Sequence, residues 1–206
     1  MTFPERRFPD VGAYADAYFD QVDRAAGSVD RGALATAAAI LTEVYRRGGM
    51  VYSCGNGGSA AIANHLVCDH CKAVQTDTGL NPRVYSLSTT IEIITAISND
   101  LSYDEVFVYQ LRSLAQPGDA LVTISSSGDS ENVVRAAAWA KENGLPVIAM
   151  TGFSGGRSAR LADVNLHVAA DNYGVIEDVH QSLMHILAQH VRHAHMDEAT
   201  IRERNF

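Results

Sequence analysis

The sequence predicts an α/β fold, a five-stranded parallel sheet flanked by helices on both faces. Three observations carry this. Apolar runs of β type alternate with segments of helical periodicity along the whole chain. Four of the five strand segments are nearly continuous apolar runs, as strands buried on both faces require. Two glycine- and serine-rich turns, SCGNGGSAAIANH (53–65) and TISSSGDSEN (123–132), each follow such a run and open a helical pattern.

In residues 10–27, Tyr14, Tyr18 and Val22 fall at four-residue spacing, which gives an amphipathic helix. Residues 30–47 are alanine-rich and helical, with Gly48-Gly49 as the stop. MVYSC (50–54) reads as a buried strand, followed by the first turn and a helix from about Ser59 to Cys71. RVYSLS (83–88) is the second strand, and TTIEIITAISND a short helix after it. Asp104 to Ala115 reads as one helix, stopped by Gln116-Pro117-Gly118. DALVTIS (119–125) is the third strand, followed by the second turn and a helix from about Ser130 to Asn143. PVIAMT (146–151) and VNLHVA (164–169) are the last strands, with a short helix near Ser158–Ala162 between them. The closing helix runs from about Tyr173 through His195. With no repeat, linker or low-complexity tract, the expectation is one domain over 1–206, its N-terminal helices (10–47) packing on it or on a partner subunit.

Composition narrows the function. The net charge of −8 argues against nucleic acid or an anionic membrane as partner, since both need a basic face. An anionic substrate stays open, because hydroxyls and N–H dipoles hold phosphate without net positive charge. The charged fraction of 19% is low for a fully solvated domain and points to surface covered by a partner subunit. The start, MTFPERRFPD, lacks the apolar stretch of a signal peptide, and no window approaches eighteen apolar residues. Three cysteines, an odd count, point to reduced thiols and a cytoplasmic location. Cys68 and Cys71 form a C-x-x-C pair within a helix, with no second pair to complete a four-sulfur zinc site.

The two turns aim backbone N–H groups and small hydroxyls at one spot, beside the positive end of a helix dipole, which suits a phosphate dianion. Without a Walker lysine or a dinucleotide fingerprint, they favour a phosphorylated small molecule over a nucleotide. His65 and Asp69, four apart, share one helix face, while His70 points elsewhere. Glu177, Gln181 and His185 make a polar stripe through an otherwise apolar helix, a cost unless it faces a site. Imidazole with carboxylate supplies acid and base for proton transfer, and also ligates divalent ions. His190, His193 and His195 are expected on a solvated helix end.

The pattern GNGGSAA…H, then ND, then ISSSGDS, then TG..GG and a closing helix with E…H…HIL resembles a sugar isomerase (SIS) domain. More narrowly, it is similar to the phosphoheptose isomerases, over nearly the whole chain to about residue 190. The resemblance implies a Rossmann-like three-layer sandwich assembled as a homotetramer with active sites between subunits. It implies that Ser125, Ser126, Ser127 and Ser130 hold the sugar phosphate, that Asn56, Gly57 and Ser59 lie near the sugar, and that Asn99 and Asp100 lie close to the substrate. Its catalytic pair maps to Asp69 and His185, and its zinc ligands to His65, Asp69, Glu177 and His185. The chain departs from the pattern at three points. The family glutamate is Asp69, the family glutamine is Glu177, and an asparagine of the second turn is Asp129. Two histidines with two carboxylates make a stronger divalent site than the family norm, and Glu177 joins Asp69 as a candidate base.

The function implied is aldose–ketose isomerisation in carbohydrate metabolism, from sedoheptulose 7-phosphate to D-glycero-D-manno-heptose 7-phosphate through an enediol(ate). The alternatives are an isomerase of another sugar phosphate, and a non-catalytic SIS protein that binds the bacterial replication initiator. A phosphosugar-sensing regulatory domain ranks lower, since no DNA-binding segment is attached.

Overall fold

Short runs of apolar and β-branched residues form the sheet: β1 (Met50–Gly55), β2 (Arg83–Ser86), β3 (Ala120–Ser125), β4 (Val147–Thr151) and β5 (Val164–His167). The computed structural model describes residues 3–206, so the first two positions of the 1–206 unit fall outside the described residues. Every neighbouring pair is parallel, in the order β2-β1-β3-β4-β5, the α/β architecture that the alternating pattern predicts. The chain steps outward from β1 to β2, then returns to lay β3 on the other side of β1. Ligand crevices form where strand order reverses in this way. Cys54 pairs with Thr123 and Gly55 with Ile124, so the two turns leave the sheet side by side.

The helices are α1 (Val11–Ser28), α2 (Arg31–Arg46), α3 (Gly58–Cys68), α4 (Ile91–Asp100), α5 (Val108–Leu114), α6 (Glu131–Glu142), α7 (Gly156–Leu161), α8 (Tyr173–His193) and α9 (Glu198–Ile201). Strand side chains alternate between two cores. Val51, Val122, Ile124, Ile148 and Met150 face α2, α3 and α8. Tyr52, Cys54, Leu121 and Val147 face α4, α5 and α6. The first helix lies outside the first layer, against α8. The Asn172 side chain caps α8 by accepting from the Val175 N–H. Ile176, Val179, Leu183, Leu187 and Val191 then bury one face of that helix, and Glu177, Gln181 and His185 are left on another.

Three elements differ from the sequence reading. The helix expected to reach Cys71 ends at Cys68, and Asp69–Val74 continues as a wider π turn. The segment expected as one helix over 104–115 divides into a 3-10 turn, Tyr103–Glu105, and α5. Ser102 starts the 3-10 turn separately, its hydroxyl accepting from the Asp104 N–H at 3.1 Å. The short α9 has no counterpart among the expected elements.

Gly55 closes β1 where the strand dives beneath α3. A Cβ there would meet the Ser59 carbonyl group at 2.7 Å and the Ile124 oxygen at 2.8 Å, both backbone. Gly55→Ala is expected to lower stability by about 1–3 kcal/mol, read as a lower midpoint in urea unfolding; an unchanged midpoint would show that the crossing of turn and helix is loose.

Candidate active site

The crevice at the ends of β1 and β3 is walled by the starts of α3 and α6. Side chains of Asp10, Asp30 and Asn172 cap α1, α2 and α8, but Gly57 and Ser130 make no such bond to α3 and α6. Among the described residues, the two helices that open on the crevice therefore keep first-turn N–H groups without a side-chain cap, except Val133 N–H of α6, which donates to Asn132 Oδ1 at 2.9 Å. Between them lies a cavity of about 170 Å³ lined by Asn56, Ser59, Ile124, Ser125, Ser126, Ser127, Ser130, Tyr173 and Glu177. Ser125 and Ser127 have hydroxyls that accept from the Gly128 and Asp129 N–H groups, at 3.2 and 3.3 Å. The Ser126 hydroxyl is buried with no partner among the described residues. Such a group invites a ligand acceptor. A larger cavity of about 630 Å³ lies beside Phe3, Phe153, His167 and Asn172, but its helix start is already capped by Asn172.

The second turn is braced from outside. Arg157 donates to Asp129 at 2.9 Å and to Glu131 at 2.7 Å. The Arg157 guanidinium holds the Asp129 carboxyl below its usual range, and Arg135, with Arg157 next, does the same for Glu131. The charge at Asp129 is thus answered by Arg157. Asn56 is also committed: it exchanges two 2.9 Å bonds with Asn132 and accepts from the Tyr103 hydroxyl at 2.8 Å.

The second group of side chains comes from α3, the π turn and α8. His185 Nδ1 lies 2.6 Å from Asp69 Oδ2, joining residues 116 apart in sequence. Asp69 Oδ1 lies 3.2 Å from His65 Nε2, and the two imidazole rings stand edge to face with centroids 5.2 Å apart. The Gln181 amide donates to His185 Nε2 at 2.9 Å, which leaves Nδ1 as the protonated nitrogen facing Asp69. His65, Asp69 and His185 each offer a donor atom within 4.8 Å of the others. Two imidazoles and a carboxylate are a suitable set for zinc or a similar ion.

Glu177, expected with that set, lies elsewhere. It sits two helical turns before His185, roughly 12 Å along the axis at 1.5 Å per residue. Its carboxylate packs directly on Gly58 and lines the serine cavity, so any side chain at Gly58 would collide with it. Burial, and next to it Asp178, push the Glu177 carboxyl up. Asn99 and Asp100 are also apart from the cavity: they bond each other at 2.7 Å at the exposed end of α4. His190 and His193 are exposed, whereas His195 is half-buried against the Val191 carbonyl. Sequence reasoning missed Asn132, Tyr103 and Tyr173. Asn132, polar on the buried face of α6, carried a readable signal, and the tyrosines carried none.

Comparison with known proteins places this geometry. Residues 16–152 match the family model described as SIS domain. A phosphoheptose isomerase of Mycobacterium bovis (strain BCG / Pasteur 1173P2) is 41% identical over 171 residues, 80% of this chain and 85% of the relative. One from Alteromonas mediterranea is 40% identical over 156 residues, 74% of this chain and 78% of the relative. Among solved structures, the phosphoheptose isomerase of Neisseria gonorrhoeae superposes with a TM-score of 0.81 at 33% identity, covering 88% of this chain and 98% of that one.

The raised Glu177 carboxyl has a stability signature. The fold disfavours its ionised form, so its contribution worsens as pH rises from the ordinary carboxyl value of 4.5 through the raised one. Glu177→Gln is expected to be more stable than the parent at pH 7 and to lose that advantage below pH 4.5. Urea unfolding across this range checks it, and an advantage that persists in acid would assign the effect to packing instead.

Proposed function

The chain belongs to the SIS-domain family and, within it, to the phosphoheptose isomerases, and from that membership we propose that it interconverts sedoheptulose 7-phosphate and D-glycero-D-manno-heptose 7-phosphate. The observation that carries the site assignment is the 2.6 Å contact between Asp69 and His185, an acid–base pair assembled from distant elements.

In this reading the sugar phosphate docks on the second turn. The unpartnered Ser126 hydroxyl and the first N–H groups of α6 donate to the phosphate oxygens, with Ser125, Ser127 and Ser130 as the remaining wall. Asn56, Gly57 and Ser59 border the sugar. A carboxylate removes the proton from the carbon beside the carbonyl, leaving an enediol(ate), and returns it to the neighbouring carbon. His185 moves the proton between the two oxygens, its ring oriented by Asp69 and Gln181. Two carboxylates compete for the first role. Asp69 is already engaged by two imidazoles, whereas Glu177 lines the cavity with a raised pKa, closer to what a base near neutral pH needs. Glu177 is therefore the base and Asp69 the partner of His185.

His65, Asp69 and His185 would hold one zinc-type ion per subunit. Such an ion supplies Lewis-acid polarisation of the substrate carbonyl when bound. Glu177 would enter the set only across a subunit boundary. The separation of the serine cavity from the His65–Asp69–His185 cluster supports a homotetramer whose sites are completed between subunits. Exposed Phe19, Ile91, Leu101 and Ile186 offer apolar surface for that assembly. The three free thiols support a cytoplasmic setting, and no helix of the described residues is long and apolar enough to cross a membrane.

Purified protein mixed with sedoheptulose 7-phosphate is expected to yield the aldose by NMR, and less of it after chelation. No conversion with or without added zinc would remove this substrate; conversion of a C5 or C6 ketose phosphate instead, which the departures at Asp69 and Glu177 make the second reading, would reassign it. Glu177→Gln is expected to lose about 10²–10⁴-fold in kcat while keeping its metal affinity, and Asp69→Asn to lose both. A Glu177→Gln enzyme with near-parental kcat would transfer the base role to Asp69.

A further inference from the structure

Directly behind Asp69 in the chain, His70 is 0% exposed. Its Nδ1 lies 2.7 Å from the hydroxyl of Tyr45, a buried residue in the last turn of α2. Ile62, Leu66, His70 and Val74 follow at four-residue spacing and are all buried, so the imidazole occupies a slot in an otherwise apolar stripe. Burial pushes His70 down to about 4 and Tyr45 well up, which keeps both neutral. His70 Nε2 has no partner among the described residues. Leucine at 70 together with phenylalanine at 45 would fill the same space and leave no buried polar group unpaired, so stability alone does not call for the pair, whereas leucine at 70 by itself would strand the buried Tyr45 hydroxyl. A leucine would not supply a directed bond between α2 and the π turn.

That turn needs one. The π segment begins at Asp69, where the helix widens and the α-type ladder lapses. The turn packs on α8 and β2, and the second helix is seated on β1, β5 and α8, so a bond between them joins two anchored elements. We propose that His70 is a positioning residue: its hydrogen bond to Tyr45 ties the π turn to α2 and so sets Asp69 against His65 and His185. The inference rests on the metal and proton-transfer reading of those three for its consequence, and on the buried bond for its geometry. Asp69 and His70 are consecutive, and their side chains serve opposite sides of one turn, the first facing the cluster and the second the core.

The test compares full-length parent, His70→Leu, His70→Gln and Tyr45→Phe, metal-free, by thermal unfolding, Co²⁺ titration calorimetry and the imidazole NMR resonances of His185. His70→Leu, which strands the buried Tyr45 hydroxyl, is expected to melt somewhat below the parental temperature, to bind Co²⁺ about 10-fold more weakly, and to shift the His185 resonances. Tyr45→Phe should repeat the last two effects. The double variant should be no worse than either single, because both remove one bond. His70→Gln, which keeps a group able to bond Tyr45, should recover part of the affinity. A folded His70→Leu with parental Co²⁺ affinity and unshifted His185 resonances overturns the proposal. Should the parent take up no Co²⁺, the metal reading falls, and the His185 resonances decide the positioning role by themselves: a shift supports it, no shift overturns it. If His70→Leu does not fold, Tyr45→Phe, which removes a single oxygen, carries the same comparison.

Discussion

The site depends on one contact, the hydrogen bond between Asp69 and His185. It is the point at which two independently anchored elements meet. The eighth helix is held by its apolar face, from Val175 to Val191, which leaves no freedom to rotate without exposing core residues. The π turn is held by Val74 and His70 on the opposite side. When both are seated, a carboxylate and an imidazole arrive 2.6 Å apart. A bond of this kind at a partly exposed position adds little to stability. Its importance is geometric, since proton transfer and metal ligation both fall off steeply once donor atoms leave hydrogen-bond range.

On the proposed reading, a chain of net charge −8 receives a dianion with no lysine or arginine among the described residues that line the serine cavity. Competing negative charge beside the crevice is answered by arginines outside it. Arg157 holds Asp129 and Glu131, and Arg135 takes up Glu131 together with Glu105 at 2.8 Å. What remains facing the cavity is neutral hydroxyl and helix-start N–H. Glu177 is the exception, and its carboxyl is raised first by partial burial and next by the neighbouring Asp178. If Glu177 is the base proposed above, its carboxyl repels an incoming phosphate when ionised and accepts a proton readily, so substrate binding and base strength would be coupled through one group.

The sheet was legible because its strands are buried on both faces, so apolar runs such as Ala120–Ser125 declare themselves without neighbours. The two turns were legible because glycine and serine mark backbone that approaches a ligand. Helical spacing joined His65 to Asp69 and set Glu177, Gln181 and His185 on one face, but the pairing of Asp69 with His185 came only from the family resemblance, because the distance between them is a tertiary fact. The misplacement of Glu177 has a plain cause. Spacing puts Glu177, Gln181 and His185 on one helix face, yet says nothing of how far apart along the axis that face places them relative to a partner element. Two turns separate a cavity from a cluster. Asn99 and Asp100 show the same limit: the family resemblance put them near the substrate, and in the structure they bond each other at the end of α4 outside the cavity lining. The π turn was invisible because its residues, Asp69–Val74, have an ordinary helical composition.

Aspartate at position 69 sharpens the demand on that turn. A glutamate can search for its partners with an extra rotatable bond, so its backbone need only be near the right place. An aspartate has one methylene less and reaches only what the backbone brings to it. That Asp69 touches both His65 and His185 therefore means that the placement is done by the main chain. A main chain that widens into a π turn at that residue cannot hold its own position through the regular helical ladder. The stiffness has to come from what the turn is fastened to, and the buried bond from His70 to Tyr45 fastens it to a helix seated on the sheet. The shorter acid and the polar anchor behind it answer the same constraint, one by needing a fixed backbone and the other by fixing it.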